Sequence, residues 1–129
     1  MMNRPLKAVP GAAHATAEGC PFPVRGVDLH LHSLFSDGLK TPEELCALAV
    51  KAGVSHTALC DHDTVSGLPA MREAAEAHGL FLIPGVEIST GKGGRMHILC
   101  YGERVESPEM KAFLEGMAQE RIGRADAIM

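Results

Sequence analysis

The sequence lacks a long apolar run, an excess of positive charge and any close pair of cysteines. No stretch approaches the roughly 20 apolar residues of a membrane-spanning helix, so we expect no membrane segment. Sixteen acidic residues against twelve basic ones give a formal net charge of −4, which argues against a bulk electrostatic surface for nucleic acid. The four cysteines form no C-x-x-C pair, which excludes zinc-ribbon and thioredoxin motifs and favours reduced thiols in the cytoplasm.

Two common catalytic motifs are also missing. The glycine-rich segment 90–95 lacks the Gly-Lys-Ser/Thr ending of a phosphate-binding Walker loop and does not open a helix. No Ser/His/Asp or Cys/His arrangement stands out as a nucleophile, although Ser33 and Ser36 lie near a group of histidines. A hydrolytic activity would therefore have to come from another kind of site.

Strand and helix patterns alternate along the chain and predict an α/β fold. Residues 1–24 are rich in Ala, Pro and Gly and are predicted to form a disordered leader, followed by one domain at 25–129. Thr41-Pro42 is a strong helix start, and Gly79 is expected to end a second helix. Pro84-Gly85 is expected to break the third strand just before Glu87. With three or four strands, the sheet would leave an uncovered edge, so we expect the front part of a larger domain.

Histidines and carboxylates follow the apolar runs where the strands are expected to end. The candidates for metal ligands are His30, His32, Asp37, His62, Glu87 and His97. Each of them alone has an ordinary interpretation, such as a core histidine with satisfied hydrogen bonds or an aspartate in a turn. Strand-end residues of an α/β sheet converge on one face, and together these side chains predict a shared metal centre. Imidazole and carboxylate ligands suit Mn, Zn or Fe.

For two further pairs of residues the sequence leaves alternative roles open. Asp61 and Asp63 flank His62 and are predicted to take part in catalysis, either as a proton acceptor or as partners that orient the metal ligands. Arg121 and Arg124 most simply form a solvated helix face, with contact to a substrate phosphate as the alternative.

Several of these motifs occur in an order that resembles the PHP (polymerase and histidinol phosphatase) phosphoesterases. The segments are Asp-Leu-His-Leu-His-Ser at 28–33, Ser-Asp-Gly at 36–38, Thr-Ala-Leu-Cys-Asp-His-Asp-Thr at 57–64, Gly-Val-Glu-Ile-Ser at 85–89 and His-Ile-Leu-Cys-Tyr-Gly at 97–102. The sequence is most similar to the bacterial group that includes RNase AM-like exoribonucleases and 3′,5′-nucleotide bisphosphate phosphatases. This resemblance implies a distorted (β/α)7 barrel with up to three divalent ions.

The resemblance also implies a distribution of ligands. His30, His32 and Glu87 would hold one ion, Asp37 and His62 would help to hold a second, and Glu87 and His97 a third. Members of the family supply another histidine and a late Asp-x-His pair, whereas no histidine follows His97 here. We therefore expect the N-terminal portion of a barrel that is incomplete.

Three functional hypotheses follow. The first is a metal-dependent phosphoesterase that hydrolyses phosphate esters of nucleotides or short RNA through a metal-bound hydroxide. The second is a non-catalytic metal-binding fragment or remnant of a larger PHP protein. In the third, a second copy of the chain or another polypeptide completes the barrel and its ligands.

Overall fold

The computed structural model describes residues 23–128, of which 121–128 are described by their backbone alone. The strands are β1 (Val27–Leu31), β2 (His56–Leu59), β3 (Phe81–Thr90) and β4 (Met96–Tyr101), and the helices are α1 (Pro42–Lys51), α2 (Leu68–His78) and α3 (Pro108–Ile128). The strands lie in the order β1-β2-β3-β4 and form a curled half-barrel, which confirms the α/β prediction. The predicted leader falls almost entirely on residues 1–22, which lie outside the described residues.

The local signals for the first two helices act as predicted. The Thr41 hydroxyl accepts a hydrogen bond from the backbone N–H of Glu44 at 3.2 Å, and Pro42 is the first residue of α1. Gly79 ends α2 with a φ of 69°, a left-handed conformation that glycine adopts without strain. The start of α1 and the end of α2 are therefore set by adjacent residues. No helix among residues 23–128 is long and apolar enough to cross a membrane.

The hydrophobic core lies between the sheet and helices α1 and α2. Its largest fully buried side chains include Cys46, Leu59, Leu68, Met71, Leu80 and Val86. In contrast, the residues of β4 are exposed except for the half-buried Cys100. The sheet is therefore packed at its centre and open at the β4 edge.

The predicted break at Pro84-Gly85 is wrong, because β3 runs without interruption through both residues. Its first half pairs with β2 in parallel and its second half with β4 in antiparallel orientation. Gly85 allows this change of partner, since a Cβ at that position would lie 2.7 Å from the Cys60 Sγ. The Pro84 carbonyl still accepts a hydrogen bond from the N–H of Gly102 at 2.8 Å. The change of partner places β4 next to the end of β3 that carries Glu87.

One side-chain hydrogen bond links the two outer strands of the sheet. The Tyr101 hydroxyl, at the end of β4, donates to the Leu29 carbonyl of β1 at 2.7 Å. Since β2 and β3 lie between β1 and β4 in sheet order, this contact requires the sheet to curl. The curl brings the ends of all four strands around one concave face.

Candidate metal centre

The end of β1 presents two imidazoles to the same carboxylate. Side chains alternate along a strand, so His30 and His32 point to one side. Their Nε2 atoms each lie 3.0 Å from the Oε2 atom of Glu87, and their ring centroids are 4.8 Å apart. The two imidazoles therefore flank one carboxylate oxygen.

Residues 61–63 continue beyond β2 and pair with β3 at Glu87. The N–H of Glu87 donates to the Asp61 carbonyl at 3.0 Å, and the N–H of Asp63 donates to the Glu87 carbonyl at 2.9 Å. Asp63 has a φ of 55°, a left-handed conformation that aspartate tolerates better than most residues, and its Oδ1 accepts from the N–H of Ser89 at 2.7 Å. This backbone pairing places the His62 Nε2 atom 3.5 Å from the Glu87 Oε2 atom.

Two further ligand candidates arrive from a loop and from β4. The Asp37 Oδ2 atom lies 3.3 Å from the His62 Nε2 atom, and the Asp37 Oδ1 atom lies 3.5 Å from the His32 Nδ1 atom. In the β3–β4 register His97 is opposite Ser89, and its Nδ1 atom lies 3.2 Å from the Glu87 Oε1 atom. The structure thus brings all six predicted ligands into one cluster.

The cluster divides into three groups of side chains whose ligand atoms lie within 4.8 Å of one another. The groups are His30, His32 and Glu87; His32, Asp37 and His62; and His62, Glu87 and His97. The first group has the predicted members. The second contains His32 in addition to the predicted pair Asp37 and His62, and the third contains His62 in addition to the predicted pair Glu87 and His97. Binding of metal by these residues stays a prediction, and the structure brings them close enough for it.

Glu87 lies at the base of the cluster with 5% of its surface exposed. Burial alone raises the pKa of this carboxyl, but the His30 hydrogen bond and the charges of His62, His30 and His32 outweigh burial, so the pKa lies below its usual value. The Nδ1 atom of His32 is buried and makes no hydrogen bond among the described residues, although the Asp37 Oδ1 atom lies 3.5 Å from it. An ionised carboxylate among imidazoles with an unsatisfied nitrogen is a donor set that fits a divalent transition metal.

Comparison with known proteins agrees with this geometry. The PHP domain family model matches residues 28–117, and this range contains every proposed ligand. The chain belongs to the PHP domain family.

Individual relatives share the same part of the chain. A 5′-3′ exoribonuclease of Haemophilus influenzae is 44% identical over 99 residues, which are 76% of this chain and 36% of the relative. A 3′,5′-nucleoside bisphosphate phosphatase of Chromobacterium violaceum is 36% identical over 100 residues, which are 77% of this chain and 35% of the relative.

A solved structure agrees as well. An amidohydrolase from Chromobacterium violaceum, with bound sulfate and no metal, superposes with a TM-score of 0.70 at 36% identity, covering 78% of this chain and 36% of that structure. The chain spans about a third of the length of the PHP proteins that it matches. The half-barrel is thus the part of the PHP fold that this chain contains.

The predicted catalytic residues Asp61 and Asp63 lie beside the PHP ligand cluster and belong to none of its three groups. Asp61 is 1% exposed and accepts hydrogen bonds from Ser33 and Ser36, while Asp63 accepts from the backbone of Ser89. Sequence reasoning did not assign the two serines this role. A buried aspartate directly after an apolar strand does signal that nearby donors must satisfy it.

The last turns of α3 carry Arg121 and Arg124. The sequence predicted a solvated helix face for these arginines, with contact to a substrate phosphate as the alternative. Their side chains fall outside the described residues. The phosphate contact stays a prediction.

Proposed function

We propose that this chain carries the metal-binding part of a phosphoesterase that hydrolyses phosphate esters of nucleotides or short RNA. The observation that carries the proposal is the position of Glu87, whose carboxylate oxygens lie 3.0 to 3.5 Å from nitrogens of four histidines. The substrate class is supported by the names of two relatives, an exoribonuclease and a nucleoside bisphosphate phosphatase.

The residues of this chain hold and shape the site. Bound divalent ions in such a site supply an activated water, orient phosphate oxygens and offset the charge of the leaving group. His30, His32 and Glu87 hold one ion, and Asp37, His62 and His97 extend the ligand set around them. Manganese, zinc and iron are the ions that suit these ligands.

For Asp61 and Asp63, the contacts favour positioning over proton transfer. Asp63 accepts the Ser89 N–H at 2.7 Å and thereby fastens residues 61–63 to β3 beside Glu87. Both aspartates are buried, at 1% and 6% exposure, which leaves little access for a water molecule. We therefore propose that both residues position the segment that carries His62, rather than accept a proton.

The ligand number supports a second candidate function. Each group supplies three protein ligands, whereas metal ions in proteins take four or more. Water can fill the remaining positions, and so can ligands from a second copy of the chain or from another polypeptide. If catalysis requires such added protein ligands, the chain alone would bind metal and not catalyse.

Metal analysis combined with an activity assay separates these functions. The purified chain is analysed for bound metal, and phosphate release from 3′,5′-adenosine bisphosphate is measured with Mn²⁺ and with EDTA. Two or more ions with release that EDTA abolishes support the phosphoesterase. Bound ions without release support the non-catalytic function. Release that appears only in a dimer, or after a second polypeptide is added, supports completion by a partner.

A substitution tests the site itself. His32→Ala removes a residue that belongs to two of the three groups and is expected to lower the number of bound ions. His78→Ala is the matched control, because His78 pairs with Glu43 outside the cluster at 2.7 Å. Unchanged metal content in His32→Ala would contradict the proposed ligand assignment.

A further inference from the structure

The loop between β1 and α1 carries Asp37, the most exposed of the candidate ligands at 66% of its side chain. The loop closes on itself through backbone hydrogen bonds from Leu34 to Lys40 at 2.9 Å and from Gly38 to Ser33 at 2.9 Å. These bonds shape the loop without attaching it to residues 61–63 or to β3, which carry the neighbouring ligands His62 and Glu87. Another contact must hold Asp37 in place beside His62.

Asp61 makes that contact with three hydrogen bonds. Its Oδ1 atom accepts from the N–H of Ser33 at 2.6 Å and from the hydroxyl of Ser36 at 2.8 Å. Its Oδ2 atom accepts from the hydroxyl of Ser33 at 2.7 Å. Ser33 is fully buried and Asp61 is 1% exposed, so the two bonds between them form away from solvent, whereas the Ser36 bond is half-buried. Hydrogen bonds to a buried carboxylate are among the strongest in proteins.

The surroundings of Asp61 fix its own position. Its backbone carbonyl accepts from the N–H of Glu87, which ties it to β3. A Cβ added at Gly67 would lie 3.0 Å from both the Asp61 Oδ2 atom and the Phe35 ring, so the carboxylate and the loop meet closely at the start of α2. Asp61 is therefore joined to the sheet on one side and to the loop on the other.

We propose that Asp61 is a positioning residue that holds the Asp37 loop against the sheet through Ser33 and Ser36. Asp37 stands between these serines and Gly38, so the bonds to Asp61 set the distance between the Asp37 and His62 side chains. This inference rests on the proposed function, because it assigns Asp37 to the metal site. It predicts that loosening the loop weakens the ion held by Asp37 and spares the ion held by His30, His32 and Glu87.

The test compares Asp61→Asn and Ser36→Ala with the whole wild-type chain. Asn replaces one accepting oxygen by an NH₂ group. Ser36→Ala leaves Asp61 in place and removes the hydroxyl that donates to Asp61 at 2.8 Å and to the Asp37 Oδ1 atom at the longer distance of 3.4 Å. Ser36→Thr restores the hydroxyl and is the conservative rescue. Ser66→Ala is the matched control, since Ser66 is exposed and its hydroxyl pairs with Thr64.

The first measurement is hydrogen–deuterium exchange by mass spectrometry on the metal-free protein. Asp61→Asn and Ser36→Ala are expected to increase exchange in peptides covering 33–40 and to leave those covering α1 and α2 as in the wild type. Ser36→Thr and Ser66→Ala should match the wild type. Unchanged exchange at 33–40 in both loop variants would overturn the proposal, and Ser36→Ala keeps the test decisive if Asp61→Asn does not fold.

The second measurement is a Mn²⁺ titration of the same proteins. We expect one class of ions to bind about 10 to 100 times more weakly in the loop variants, the range typical of lost partners behind a metal ligand, while another class keeps its affinity. Faster exchange at 33–40 together with wild-type Mn²⁺ affinity would refute the proposal that Asp61 positions Asp37 for metal binding. If the wild type binds no Mn²⁺, the proposed function fails together with the role in metal binding, and exchange still shows whether Asp61 fixes the loop.

Discussion

Replacing Glu87 by glutamine is expected to remove most of the metal-binding capacity of this chain while leaving its fold intact. Glutamine has nearly the same shape, so the change removes the negative charge at the base of the cluster. Two of the three ligand groups contain Glu87, and only the group of His32, Asp37 and His62 lacks it. The variant should therefore retain at most one ion.

The affinity loss can be estimated from Coulomb's law. Two unit charges 4 Å apart interact by about 4 kcal/mol at an effective dielectric constant of about 20. A carboxylate that contacts a divalent ion lies closer than this, so the loss at the two groups containing Glu87 should be about a thousandfold or more. Calorimetric Mn²⁺ titration measures the affinity, elemental analysis after dialysis measures the number of ions, and circular dichroism checks the fold.

Glu43→Gln is the matched control for this experiment. Glu43 also contacts an imidazole, with its Oε1 atom 2.7 Å from the Nε2 atom of His78, and that pair lies outside the ligand groups. Its metal content should equal that of the wild type. The reasoning is refuted if Glu87→Gln is folded and keeps the wild-type number of ions at wild-type affinity.

Three further outcomes are expected. Gly38→Ala should lower the free energy of unfolding in urea by about 1–3 kcal/mol, because the added Cβ would lie 2.2 Å from the His32 carbonyl oxygen; unchanged stability would contradict this crowding. Burial raises the pKa of the Cys46 and Cys60 thiols to about 11, so roughly one in a thousand is ionised at pH 8. Both should resist a disulfide reagent in the native protein and react in denaturant, and fast native labelling would be the contrary result. The pKa of Glu87 lies below its usual 4.5 in the folded state, so its stabilisation is complete above that pH and is lost as the pH falls further. Metal-free wild type should thus lose more stability on acidification than Glu87→Gln, and equal losses would argue against this.

The elements that the sequence predicted correctly are those with local chemical signals. Thr41 and Pro42 begin α1, and Gly79 ends α2, because capping and left-handed backbone are properties of a few adjacent residues. The prediction failed at Pro84-Gly85, where both residues usually interrupt a strand. There the decisive fact is the close approach of Cys60 to Gly85, a contact between residues far apart in sequence.

The candidate site shows the same division. All six ligand candidates could be named from polar residues that follow or interrupt the apolar runs, since burying such groups without partners is costly. Their grouping was predicted less completely, because His32 joins the second group and His62 the third only once the side-chain distances are known. The role of Ser33 and Ser36 as donors to Asp61 was not predicted, since the serines and the aspartate are more than 20 residues apart.

By itself, the sequence determined which side chains are available for a metal site: imidazoles and carboxylates beside or within the apolar runs, in the order typical of PHP domains. The tertiary structure alone decided that His32 and His62 are each shared between two ligand groups and that Asp61 is a buried partner of the Asp37 loop. The physical reason is the curl of the sheet. Hydrophobic periodicity sets the face on which a side chain lies, whereas the distance between side chains on different strands depends on how the strands twist and change partners.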